Sequence, residues 1–260
     1  MFLEAKKAMG GGSGVVLQGT LPPMASQGQD GEIYLEYFGS DPSGIPDTAT
    51  PLLSITTDGS QWIQTGYAVT RDDVVFEIDV NVNTLNSGNT GLISRSNASL
   101  WIITHISGSP NLTAAWGGVD IRSNQYDITG RRVHIRFSKG RVYVTEPGGT
   151  VICDWSYNSG STYSNTQLTL FGYAPNDSLI KATFYGMKIY EGDTLVRNYR
   201  PVLDENNVPC LYDTVTHAYF YNSGSGTFSY TAPTGEIVAS YLKVNNAWQN
   251  LIGSSIYDVG

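Results

Sequence analysis

The stretch Asp73-Val74-Val75-Phe76-Glu77-Ile78-Asp79-Val80-Asn81-Val82 decides the fold. Val74, Phe76, Ile78, Val80 and Val82 fall on one side of an extended backbone, and Val75, Glu77, Asp79 and Asn81 on the other. The period is two, which makes the segment a strand with one buried face. Such a strand needs partners with the same beat, and the chain supplies them. Arg132 to Phe137 turns Val133, Ile135 and Phe137 inward against Arg132, His134 and Arg136. Ser138-Lys139-Gly140 reverses the chain into Arg141-Val142-Tyr143-Val144-Thr145, and Glu146-Pro147-Gly148-Gly149 reverses it again into Thr150 to Trp155. Gln167 to Tyr173 and Lys181 to Tyr190 continue the pattern. No helical period is sustained between these segments. That excludes a parallel α/β sheet and leaves two packed antiparallel sheets.

Composition points the same way. Charged residues are only 15%, aromatics reach 12% with 17 tyrosines, and there are 29 glycines, a balance that favours strands and turns over helices. Lys and Arg number 15 against 23 Asp and Glu, a formal charge of −8, so there is no basic field to hold a phosphate backbone and nucleic acid is excluded as a partner. No apolar run approaches the length of a membrane span, so no membrane insertion is expected. The opening Met1 to Met9 is helix-prone, but Glu4, Lys6 and Lys7 interrupt it and deny it the apolar core of a signal peptide. Synthesis in the cytoplasm is the expectation, with release by lysis or as part of a particle. Two cysteines, Cys153 and Cys210, are too few for a disulfide framework and are expected as buried thiols. The glycosylation patterns at Asn97, Asn111 and Asn176 are read as chance.

Outward from the sandwich the chain divides further. Residues 1–23 form an N-terminal arm, a short helix-prone piece followed by the flexible Gly10-Gly11-Gly12-Ser13-Gly14. It reads equally as a disordered tail or as a peg that orders on a partner, with Phe2, Leu3 and Met9 as the apolar anchor. Residues 24–50 and 232–260 form a small flanking β module. Ile33 to Tyr37 supplies one strand, and Gly235 to Val244 pairs with Ala247 to Ile252 across Asn245-Asn246, a turn that Asn favours. Residues 51–231 are then a large insertion, tolerated where the ends of an insert lie close together.

Several segments carry a resemblance. Gln61-Trp62-Ile63-Gln64-Thr65-Gly66-Tyr67, Lys188-Ile189-Tyr190, Leu195-Val196-Arg197-Asn198-Tyr199-Arg200-Pro201, Cys210-Leu211-Tyr212-Asp213 and Phe220-Tyr221-Asn222-Ser223-Gly224-Ser225-Gly226-Thr227-Phe228 are the residues concerned. Together they resemble the concanavalin A-like, laminin-G-like jelly-roll domains of phage and gut-bacterial surface proteins. Trp62, Gln64 and Ser225 depart mildly from that pattern. Ala25 to Tyr37 and Tyr241 to Gly253 are similar to segments of phage fibre and virion surface proteins, where they abut receptor-binding domains. The resemblance implies an all-β antiparallel jelly-roll β-sandwich inserted in a small β module, with an extended N-terminal arm. It further implies a virion surface location, other virion proteins as partners and a homotrimer.

Chemistry narrows the function. Laminarinase-type glycosidases on this fold place paired carboxylates on a strand beginning Glu-Ile-Asp. Glu77-Ile78-Asp79 starts that motif, but Asn81 follows where the second Glu would have to come, so hydrolysis is not expected and no catalytic residue is assigned. His105, His134 and His217 are scattered and show no zinc spacing. Asp72-Asp73 and Asp204-Glu205-Asn206-Asn207 are oxygen-rich turns of the sort that hold calcium in some laminin-G-like domains, though such turns are more often solvated. Binding is what remains. Trp101, His105, Trp116, Arg122, Tyr126, Trp155, Tyr157 and Tyr163 lie in or beside the loop-rich middle and supply aromatic faces and planar polar groups suited to a bacterial surface glycan. The expectation is a non-catalytic phage surface or fibre protein with a lectin-like head. A purely structural virion decoration and a polysaccharide-degrading enzyme are the alternatives.

Overall fold

The computed structural model of the chain describes residues 44–84, 90–95, 100–105, 112–117, 119–122, 126–160, 166–172 and 178–233, and the flanking strands at 6–7, 15–19, 33–37, 237–244 and 247–250. Residues 84, 100–105 and 119–122 and the flanking strands are described by their pairing alone. Among the described residues all regular structure is strand, and no helix is long and apolar enough to cross a membrane.

Three strands come first: β1 (Lys6–Lys7), β2 (Val15–Gly19) and β3 (Ile33–Tyr37). The large unit begins with β4 (Thr50–Pro51), β5 (Ser54–Asp58), β6 (Ile63–Gln64) and the long β7 (Val74–Thr84). Its middle holds β8 (Thr90–Arg95), β9 (Leu100–His105), β10 (Thr113–Trp116), β11 (Val119–Arg122), β12 (Arg132–Ser138), β13 (Arg141–Thr145) and β14 (Val151–Ser156). It closes with β15 (Leu168–Leu170), β16 (Lys181–Glu191), β17 (Thr194–Leu203), β18 (Pro209–Asp213), β19 (Ala218–Phe220) and β20 (Ser229–Thr231). Two more strands, β21 (Ile237–Val244) and β22 (Ala247–Asn250), follow.

Ile45–Thr231 is one compact unit, and Met1–Gly44 with Ala232–Gly260 is the other. The smaller unit is a sheet in the order β1-β2-β3-β21-β22. In it β3 pairs antiparallel with β21, and β21 returns into β22 with Val244 opposite Ala247. Asn245 and Asn246 themselves lie outside the described residues. The arm behaves differently from its sequence-based expectation. Lys6–Lys7 is a strand, not part of a helix, and β2 runs parallel to β3, so residues 1–23 contribute two strands to the module's sheet. The apolar, β-branched run Val15-Val16-Leu17 explains this, since it fits a pleated surface better than a linker.

The large unit is an antiparallel sandwich. Its larger sheet has eleven strands in the order β14-β13-β12-β7-β16-β17-β18-β19, with β5 against β16 and β20, and β4 against β17. The smaller has six, in the order β11-β10-β9-β8-β15-β6. Residues 45–50 belong here and not to the flanking module: Thr50 and Pro51 pair with Leu203 and Val202, and Ala49 and Ile45 pack with Val202, Cys210 and Tyr212. Cys153 and Cys210 are free, buried thiols, and burial pushes both thiol pKa values up, to about 11 and about 12.

The core lies between the two sheets. Val74, Phe76, Ile78, Val80 and Val82 are completely buried, as are Val133, Ile135 and Phe137 on the neighbouring strand. Trp116 of the smaller sheet closes the contact, its ring centroid 6.2 Å from Phe76 and 5.3 Å from Phe137. The recurrent motifs noted in the sequence serve this scaffold. Tyr199 is buried and its hydroxyl donates to the Thr65 carbonyl at 2.6 Å. Gly66, at φ +69°, lies so close beneath Phe220 that a Cβ would sit 2.8 Å from the ring. The buried Asp213 carboxylate accepts from the amides of Asn198 and Val215 and from the Thr216 hydroxyl, which locks β17 to β18.

Candidate functional site

Once the inward residues fill the core, alternation commits their neighbours to the outer face of the larger sheet. Register lines these neighbours up across strands. Asp154, Tyr143, Arg136, Glu77 and Lys188 form one rung through β14, β13, β12, β7 and β16. Ser156, Arg141, Ser138, Val75 and Tyr190 form the next. Acids and bases therefore face each other. Arg136 Nη1 donates to Glu77 Oε1 at 2.8 Å, Arg132 forks Asp79 at 2.9 and 2.6 Å, and Arg141 forks Asp154 at 2.9 and 3.0 Å. Hydrogen bonds donated to Asp79 and Asp154 raise the pKa values of Arg132 and Arg141. Exposed pairs of this kind are screened by water and add little stability, so their main effect is to hold side chains in place.

Where the second rung is small, the face is indented. Ser138 and Val75 sit between Arg141 and Tyr190, while the longer Arg136 and Tyr143 stand in the adjoining rung. The result is an open groove of about 330 Å³ lined by Val75, Arg136, Ser138, Arg141 and Tyr143. Its volume is at the low end of small-ligand sites. The Arg141 guanidinium lies 5.4 Å from the centroid of the half-buried Tyr143 ring. A ring face, guanidinium N–H donors and a serine hydroxyl meet here, a set that can cover an apolar surface and hydrogen-bond oxygens around it. None of the five lining residues was singled out from the sequence as a site residue. The signal was present but silent, because Arg136 and Tyr143 looked like any outward positions until register placed them beside two short side chains.

The sequence-predicted residues whose side chains are described do not form one exposed site. Trp116 is 1% exposed and belongs to the core, so it cannot present its face to a ligand. Tyr126 is half-buried against the same core, and its carbonyl accepts from Leu112 N. Trp155 and Tyr157 do come together at the rim beside edge strand β14, with ring centroids 6.1 Å apart. Both are half-buried and pack on the core. Tyr157 donates its hydroxyl to the Ser138 carbonyl at 3.2 Å, and burial pushes its pKa up, so it braces the β12–β13 hairpin under the groove. Trp101 pairs with Ala115 and Ser94, and Arg122 with Thr113, on the smaller sheet. His105 pairs with Thr90. Tyr163, Phe2, Leu3 and Met9 lie outside the described residues, as do Asn97, Asn111 and Asn176.

The carboxylates considered above for catalysis or calcium have partners within the protein. Glu77 and Asp79 are each engaged by a guanidinium. Asp72 pairs with Lys139 at 2.7 Å, and Asp73 with Arg71. Asp204 accepts from the Asn206 and Val208 amides and the Tyr221 hydroxyl, and the Val208 amide foremost holds its pKa below the usual carboxylate value. No three His, Cys, Asp or Glu side chains cluster among the described residues.

No known family model matches the chain, and no curated protein sequence matches it either. Solved structures do. One is a candidate carbohydrate binding protein from Bacteroides ovatus, at 12% identity and a TM-score of 0.49, covering 80% of this chain and 71% of that one. Another is the carbohydrate binding module CBM66 from Bacillus subtilis, at 14% identity and a TM-score of 0.32, covering 51% and 83% respectively. A third is a native glycosidic hydrolase, at 9% identity and a TM-score of 0.32, covering 64% and 98%.

Proposed function

We propose that this chain is a non-catalytic, lectin-like protein that adheres to bacterial surface glycans through the outer face of its inserted sandwich. The observation that carries this reading is the groove, in which the Tyr143 ring, the Arg136 and Arg141 guanidiniums and Ser138 line one indentation. Sugars are bound by an aromatic face against the apolar side of the ring, with planar polar groups on the hydroxyls. Occupied carboxylates speak for binding over hydrolysis: Glu77 and Asp79 are tied to arginines, whereas a glycosidase must aim two carboxyl groups at one bond. The motif resemblance of Ala25 to Tyr37 and Tyr241 to Gly253 supports placement on a phage particle, as a fibre or surface protein that trimerises through its flanks and meets other virion proteins there.

Binding to a glycan array or to whole host cells tests the reading. Tyr143→Ala lowers the signal about tenfold or more while the thermal midpoint stays near that of the parent. Silence of the parent protein across a broad array of bacterial polysaccharides refutes it.

A further inference from the structure

We propose that the groove selects a saccharide that carries a carboxylate, of the hexuronate class. This rests on the saccharide-binding reading of the same groove and sharpens it. Arg136 donates only Nη1, to Glu77; among the described residues nothing accepts from its Nε and Nη2. Those two N–H groups form the fork-shaped edge of a guanidinium, the edge that matches a planar carboxylate with two parallel hydrogen bonds. Comparison within the same sheet face makes the point. Arg132 uses its Nε and Nη2 on Asp79, and Arg141 uses the same pair on Asp154. Arg136 is the member of this trio whose fork is left over, and it lines the groove with its side chain 54% exposed.

Glu77 engages Arg136 at Nη1, away from the Nε–Nη2 edge, and so leaves the fork unconsumed. Arg141 keeps Nη1 over, so a second donor stands beside the first. Tyr143, paired directly with Arg136 in the register, supplies the ring face for the sugar that bears the acid. Long-range attraction does not do the selecting. The two arginines are matched by Glu77 and Asp154, and the chain as a whole carries −8. Shape of the donor edge is what distinguishes a carboxylate from a hydroxymethyl group here.

The full chain is tested against hexuronate-containing oligosaccharides (glucuronate, galacturonate and mannuronate) and against the same oligosaccharides after chemical reduction of each carboxylate to a hydroxymethyl group. Titration calorimetry is expected to show at least one acidic oligosaccharide binding tenfold or more tightly than its reduced form. Arg136→Lys, which keeps the charge but removes the fork, is expected to bring the acidic form down to the level of the reduced one. A second variant, Arg132→Lys, removes a fork already spent on Asp79 outside the groove lining and is expected to keep the preference. Equal binding of acidic and reduced forms by the parent overturns the carboxylate preference while leaving glycan binding intact. A preference that survives in Arg136→Lys with unchanged magnitude also overturns it. Binding of neither form, with silence across other bacterial glycans, removes the groove reading itself.

Discussion

Tyr143, passed over in the sequence, and Trp116, singled out there, meet opposite fates in the fold. Tyr143 alternates outward beside two arginines, half-buried and lining the groove, with the Arg141 guanidinium over its ring. Trp116 is buried, tilted against Phe76 and edge-on to Phe137. Trp116→Ala therefore empties core volume and is expected to cost about 3–5 kcal/mol, seen as a large fall in the denaturation midpoint and not as a selective loss of binding. Glycines separate in the same manner. Gly117 has φ +69° and a Cβ there would meet the Gly160 carbonyl carbon at 2.2 Å, whereas Gly130, at φ +74°, has open space around it. Gly117→Ala should lower the thermal midpoint clearly more than Gly130→Ala, because only the first adds a collision to the backbone strain. At Asp204 the consequence is one of pH. Its pKa is depressed by the Val208 amide and then the Tyr221 hydroxyl, so the stability it contributes is present above its unfolded value and is lost as pH falls through the lower folded one. The ordinary aspartate value of 3.8 marks the upper end of that window. Nuclear magnetic resonance titration of the Asp204 carboxyl is expected to place its midpoint below 3.8, and Tyr221→Phe to move it upward.

At the level of strands and hairpins, most of the architecture was legible. The period of two in Asp73 to Val82 leaves little choice of face, and every inward residue of that segment is buried. Turns were legible where conformation demanded a particular residue: Gly140 at φ +81° and Gly192 at φ +58° close two hairpins of the larger sheet. Strand pairing between distant segments was not legible, and the groove depends on it. Val75 and Ser138 become neighbours only because β7 and β12 pair in one register, and a shift of one residue would bury Arg136 and expose Phe137. The aromatic loops that the sequence made conspicuous were misleading for a related reason: Trp116, Tyr126 and Trp155 are large apolar residues near strand ends, and packing claims such residues first. One prediction belongs to this scale. Thr65, on the turn after β6, accepts from the buried Tyr199 hydroxyl, so Tyr199→Phe leaves that carbonyl short of a donor and should cost about 1–2 kcal/mol in chemical denaturation without altering glycan binding.

For the whole molecule, the division into two units sets the expectations. Within Ile45–Thr231 the described residues form a hydrophobic core between the two sheets of that unit. Expressed alone, residues 45–231 are expected to unfold in one cooperative transition and to retain the binding of the full chain. Light scattering on the full chain is expected to give a trimer and on the isolated unit a monomer, since the proposed assembly runs through the flanking segments. A chelator should leave the stability and binding of both unchanged, because Asp72, Asp73 and Asp204 already have protein partners.

The two ends of the inserted unit are joined before the chain leaves it. Leu53 N donates to the Thr231 carbonyl at 2.9 Å, and β5 and β20 run side by side from there. A gene encoding such a protein can exchange its head as a single cassette. Recombination within the codons around Leu53 and Thr231 would deliver a different sandwich whose paired ends span the same short gap, with the flanking sheet untouched.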